Sequence, residues 1–142
     1  MKEFIPKVKI PSSWKSLKSV ELRRVIFEYI KKNFSGLEVI NDDIKIKVTI
    51  STRGLRKSSF GEAMYSKKAV VLYVLPDLIK YAKYNNFGKR KEQDNKDVLG
   101  YLNFKSKCEI DGKVEHLRLS VRFQKGGKFY YNIEVNKKET VI

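Results

Sequence analysis

Within the stretch Val114 to Phe123, polar and apolar residues alternate from His116 onward. Leu117, Leu119, Val121 and Phe123 share one parity; His116, Arg118, Ser120 and Arg122 share the other. A period of two predicts a strand with one face on a core and the other in water. The segments 99–110 and 129–135 flank it, joined through Asp111-Gly112, a dipeptide suited to a two-residue hairpin turn, and through Gly126-Gly127. Together they predict an antiparallel three-stranded meander over 99–135. Its last strand is expected to point Tyr130, Asn132 and Glu134 outward, and Cys108 falls on the inward parity of its first.

Earlier in the chain the period changes. Leu22, Val25, Ile26, Tyr29, Ile30 and Phe34 recur at helical spacing, Ser19 suits an N-cap and Gly36 a C-terminal stop, so 14–35 holds a helix. Residues 1–13, with Pro6 and Pro11, predict an extended arm. Val39-Ile40 and Ile44 to Ser51 predict a hairpin about Asn41-Asp42-Asp43, with Lys45, Lys47, Thr49 and Ser51 outward. Ser59 and Glu62 have capping-box spacing, and apolar residues continue helically from Val71 to Ala82. Pro76 inside that pattern should kink the helix or begin a second one. Residues 85–97 predict a polar loop. The expected fold is α+β: an N-terminal helix and a kinked helix pair on one face of a mainly antiparallel sheet that ends in the meander.

Composition adds charge to this picture. The 142 residues suit a single domain, 1–142, and include 31 Lys and Arg against 16 Asp and Glu, a net charge of +15. Such an imbalance favours polyanionic partners, with nucleic acid ahead of an acidic protein or an anionic membrane. One cysteine, Cys108, excludes an intramolecular disulfide. No apolar run approaches membrane-span length and the N-terminus has no signal-peptide core, so a cytoplasmic location and no membrane partner are expected.

The chain has no glycine-rich phosphate loop and no zinc-ligand spacing, and it has a single histidine, so neither metal nor cofactor is expected. Cations, hydroxyls and one group titrating near neutrality suffice for metal-independent RNA cleavage. His116 is the candidate acid or base, Arg118 the candidate for transition-state charge, and Tyr130 or Glu134 the second proton-transfer group. Arg122 and Lys57 would hold phosphate. An inert, solvated strand face is the plainer account of the same row.

Three ordered fragments resemble a known family. They are Ile50-Ser51-Thr52-Arg53-Gly54-Leu55-Arg56-Lys57-Ser58; Leu72-Tyr73-Val74-Leu75-Pro76-Asp77-Leu78-Ile79; and Gly100-Tyr101 through Asp111-Gly112-Lys113, Arg118-Leu119 and Val121-Arg122 to Phe129-Tyr130-Tyr131. The chain resembles the nuclease-like domain of large polyvalent phage and mobile-element proteins, grouped with the barnase–EndoU–colicin–RelE-like RNases. That resemblance covers roughly residues 36–135. It implies helices packed on one face of an antiparallel sheet, and a metal-independent RNase, often a toxin paired with an inhibitor. The polar residues it matches are Ser51, Lys57, Ser58, Arg118, Arg122 and Tyr130. With Arg53, Lys45 and Lys47, the non-catalytic members form the expected substrate-binding set. Where the family pattern carries a histidine after the Lys-Ser/Thr segment, this chain has Phe60-Gly61, which passes the acid–base role to His116.

The expectation is therefore an RNase acting on RNA and silenced by an acidic inhibitor. The alternatives are a non-catalytic RNA- or DNA-binding module and a protein that binds an acidic partner. Either nucleic-acid reading requires affinity for RNA that falls steeply as salt rises, because bound phosphates release counterions. A fluorescence titration across a salt series checks this; a flat response excludes both.

Overall fold

A computed structural model describes residues 4–51 and 65–135. The helical period of the N-terminal segment becomes α1 (Ser19–Asn33), which buries Leu22, Ile26 and Ile30 on one stripe. Ser19 is its first helical residue rather than its cap: the Glu21 carboxylate accepts the Lys18 backbone N–H at 2.8 Å and satisfies that end. Gly36 follows the helix at φ +81°, a conformation that favours glycine. The second helical stretch divides at Pro76 into α2 (Ser66–Val71), a 3₁₀ turn at Leu72–Val74 and α3 (Leu75–Tyr81). The capping pair Ser59 and Glu62 lies outside the described residues.

Among the described residues, seven strands make one mixed sheet: β1 (Lys7–Val8), β2 (Glu38–Ile40), β3 (Lys47–Thr49), β4 (Lys83–Lys89), β5 (Val98–Ile110), β6 (Lys113–Gln124) and β7 (Gly127–Val135). Their order is β1-β5-β6-β7-β3-β2, with β4 beside β1 on the outer edge of β5. The β5-β6-β7 portion is the antiparallel meander. Asp111 (φ +50°) and Gly112 (φ +84°) turn its first corner in the left-handed conformation that a two-residue hairpin needs.

Four features depart from the expected fold. The strand expected over Ile44 to Ser51 spans only Lys47–Thr49, because the turn runs on through Lys45 at φ +59°. The sheet is mixed, because β1 runs parallel to β5 and β3 parallel to β7. The expected N-terminal arm supplies β1, held by Ile10 N–H to Asp111 Oδ1 at 3.0 Å, and a 3₁₀ turn at Ser12–Ser16 follows. The first half of the expected polar loop 85–97 is β4. Its lack of alternation reflects an edge strand, polar on most positions, whose partner is already buried. Where β4 meets β5, Gly100 has no room for a side chain: a β-carbon would run into the Phe87 ring and sit 2.7 Å from the Gly88 carbonyl.

The inward residues of the sheet (Leu102, Phe104, Cys108, Leu117, Leu119, Val121, Ile133 and Val135) share one buried cluster with the helices' apolar residues. Burial pushes the Cys108 thiol up to about 11, helped by Glu109, so it stays protonated near neutrality. Polar ties also join the helices to the sheet. Lys67 of α2 pairs with Glu115 of β6 at 2.8 Å, the carboxylate being only 2% exposed.

Another tie is Asn41, fully buried in the β2–β3 turn. Its Nδ2 donates to the Ile79 and Ala82 carbonyls at 2.8 and 2.9 Å, at the end of α3. Its Oδ1 accepts the N–H groups of Asp43 and Ile44 at 3.1 and 3.0 Å. Replacing Asn41 with Ala strands two buried carbonyls and leaves two part-buried N–H groups without their acceptor, so stability should fall by about 2 kcal/mol. Urea unfolding measures the loss; an unchanged midpoint contradicts this role.

Candidate functional site

The outward parity of the meander forms an open polar face. Hairpin register places its side chains in rows across the strands: Tyr101 opposite Arg122, Asn103 opposite Ser120, Lys105 opposite Arg118, and Lys107 opposite His116. On β7 the rows continue as Phe129, Asn132 and Glu134, after one extra residue. That residue is Tyr131, a β-bulge between the pairs Val121–Tyr130 and Ser120–Asn132.

A recess of about 350 Å³ opens on this face. Its polar lining comes from Asn85 and Asn86 of β4, Asn103 and Lys105 of β5, Arg118 and Ser120 of β6, and Asn132 and Glu134 of β7. The Ser120 hydroxyl donates to Asn103 Oδ1 at 3.1 Å, and Asn103 Nδ2 donates to Asn86 Oδ1 at 3.1 Å. Arg118 Nη2 donates to Glu134 Oε1 at 2.7 Å, and both side chains stay open to solvent. A carboxylate thus lines the recess in one row with two cations, Lys105 and Arg118. Among the described residues, no group of three or more His, Cys, Asp or Glu is placed to hold a metal ion.

Beside the recess, Arg122 is stacked rather than free. Its guanidinium lies 4.5 Å from the centre of the Tyr131 ring and 5.7 Å from that of Tyr101. It donates to the Tyr101 hydroxyl at 3.3 Å and lies 3.8 Å from Asp94. Tyr101 in turn donates to Asp94 Oδ2 at 2.8 Å, and the Lys91 N–H donates to the same oxygen at 2.8 Å. Asp94 pins the 90–97 loop over this end of the face. Burial works against its charge, but the Lys91 amide, the Tyr101 hydroxyl and the Arg122 and Lys91 charges outweigh burial and hold its pKa below the ordinary value. The Tyr101 hydroxyl is pushed up to about 12, by burial first and by its bond to Asp94 second, against the opposing pull of Arg122.

A family model, large polyvalent protein-associated domain 3, matches residues 18–131. The chain belongs to that family. Membership places it among domains of the large polyvalent proteins of phages and mobile elements. No curated protein and no solved structure matches the chain. Among the described residues, no helix of this polyvalent-protein domain is long and apolar enough to cross a membrane.

The structure brings only part of the expected residue set together. Arg118 and Glu134 share the recess, with exposed His116 one row beyond it. Tyr130, expected outward, is 1% exposed in the core, because the bulge moves Tyr131 to the outer face in its place. Arg122 belongs to the tyrosine stack. Lys47 pairs with Glu38 at 3.5 Å at the β2–β3 edge of the sheet, Lys45 sits in the β2–β3 turn, and Ser51 follows β3; none lines the recess. Arg53, Lys57 and Ser58 lie outside the described residues. Sequence reasoning missed Asn85, Asn86, Asn103 and Lys105. Counting back from Asp111-Gly112 pairs the last two with Ser120 and Arg118, so that half was within reach.

The Asp94–Tyr101 contact makes stability depend on pH at both extremes. Tyr101 titrates higher when folded than when unfolded, so its contribution is complete below about pH 10 and disappears as pH rises toward 12. Asp94 titrates lower when folded, so its contribution holds above about pH 4 and fades as pH falls through the lowered value. Chemical unfolding at stepped pH should show Tyr101→Phe losing less stability than wild type between pH 10 and 12. Parallel curves for the two proteins refute the assignment.

Proposed function

We propose that this domain binds RNA on its open sheet face and cleaves it without a metal at the Arg118–Glu134 recess. The observation that carries the reading is the carboxylate inside a cationic recess. An exposed ion pair of this kind stabilises a fold by no more than about 1 kcal/mol, so stability gives little reason for it. A face that only binds phosphate is weakened by a carboxylate in its lining. A face that moves a proton can use one as its base.

In this scheme Glu134 accepts the proton of a ribose 2′-OH, and the 2′-oxygen attacks the adjacent phosphorus. Arg118 shifts from Glu134 to the phosphoryl oxygens as charge builds there. The bond from phosphorus to the 5′-oxygen breaks, and His116 protonates that oxygen as it leaves. A 2′,3′-cyclic phosphate and a 5′-hydroxyl result, and no oxidant or metal is consumed. His116 and Arg118 are next-but-one neighbours on β6, about 6–7 Å apart at Cα, so one phosphodiester spans both. The resemblance to the barnase–EndoU–colicin–RelE-like RNases supports the same chemistry. The net charge of +15 suits an acidic inhibitor steered onto the face, as an RNase toxin requires.

A second reading, an RNA-binding face without turnover, draws on the position of His116 outside the recess lining. Single-turnover cleavage of a labelled RNA in EDTA separates the two. Glu134→Gln should lower the rate about 10²- to 10⁴-fold while RNA binding holds or tightens, because a negative charge is removed. Binding without cleavage by wild type selects the second reading. Full activity in Glu134→Gln removes Glu134 from proton transfer.

A further inference from the structure

One wall of the recess is oriented from inside the protein. Lys68 of α2 is 3% exposed, and its ammonium donates to Asn132 Oδ1 at 3.1 Å. A buried ammonium must be hydrogen-bonded, and it has only donors to offer. The oxygen of Asn132, not its nitrogen, therefore has to face Lys68. The other end of the amide, Nδ2, is left for the recess that Asn132 lines, and an amide nitrogen only donates. Lys105 and Arg118, on the same face, are donor-only as well. Three donor-only groups on one recess suit a ligand rich in acceptor oxygens.

We propose that Asn132, oriented by Lys68, donates a hydrogen bond to a non-bridging oxygen of a phosphodiester held beside Lys105 and Arg118. The ligand class rests on the RNA reading above, but the claim concerns binding and not cleavage. Lys68 is a positioning residue: it touches Asn132, and Asn132 touches the ligand. The charge of Lys68 keeps the amide from turning over, so the recess presents N–H groups before any ligand arrives.

The test uses a 2′-O-methyl oligonucleotide, which carries the phosphodiester but lacks the attacking hydroxyl, with affinity read by fluorescence anisotropy at low salt. Asn132→Asp keeps a partner for Lys68 yet turns an acceptor toward the phosphate. Affinity should fall about 10- to 100-fold, the worth of one hydrogen bond to a charged group, with little change in Tm. Lys31→Gln on the exposed end of α1 removes the same single charge and should change affinity less than threefold. Lys68→Gln, whose amide can donate or accept, should give an intermediate loss, and Lys68→Arg, again donor-only, should restore binding.

Wild-type affinity in Asn132→Asp overturns the proposal, as does failure of the wild-type protein to bind the oligonucleotide. Equal affinity in Lys68→Gln and Lys68→Arg removes the positioning role. Should Asn132→Asp not fold, Lys68→Gln carries the test, and wild-type affinity there is decisive against it. Cleavage of unmodified RNA is scored separately. Oligonucleotide binding with these effects but no cleavage sinks the RNase reading alone; cleavage with Asn132→Asp unaffected sinks this inference alone.

Discussion

Much of this molecule depends on one buried amide. Asn41 uses both ends of its side chain to join the β2–β3 turn to the last carbonyls of α3. The next two residues continue the seam. The Asp42 N–H donates to the Lys80 carbonyl at 2.9 Å, and Asp43 Oδ2 accepts the Tyr84 N–H at 2.8 Å. Tyr84 is the second residue of β4, so the turn sets where that strand begins and how it lies along β5. Asn85 and Asn86 reach the recess from β4. A polar tie at the edge of the core thereby decides the shape of a site on the opposite face of the sheet.

Local pattern made some of this legible. The helix of the N-terminal segment, the Pro76 break and the β5-β6-β7 hairpins all follow from periodicity and turn chemistry. The Asn41-Asp42-Asp43 segment also reads correctly as a turn, but its partners lie about 40 residues downstream, and no local period encodes them. β1 spans only two residues, too short to alternate. β4 is an edge strand with Asn85, Asn86 and Lys89 where apolar residues would have marked a buried one. In each case tertiary pairing, not propensity, made the strand.

The outer face was legible along β6 and, on β7, at Asn132 and Glu134 but not at Tyr130. Strict alternation assigns His116, Arg118, Ser120 and Arg122 to the outer face, where the structure has them. On β7 counting fails by one at two adjacent tyrosines, either of which suits a strand. The polar face then sorts its cations by their carboxylates. Glu134 holds Arg118 in the open, where a ligand can replace it, whereas Asp94 and two aromatic rings enclose Arg122. Lys67, pinned by buried Glu115, helps hold α2 to the sheet and with it Lys68. Similar ion pairs thus do different things, according to how much water each can recover.

The bulge at Tyr131 bears on how related chains should be compared. It makes the outer face depend on the number of residues in β7 as much as on their identity. A relative lacking that one residue would keep a tyrosine matching Tyr130 in the core and lose the ring on which Arg122 stacks. A relative of the same length without the bulge would keep a glutamate matching Glu134 but pair it with its Leu117, which turns it into the core. Aligned columns through this strand consequently do not correspond to equivalent positions unless the extra residue is placed first. Divergence in this family can proceed by moving a single gap, with no change in chemical composition.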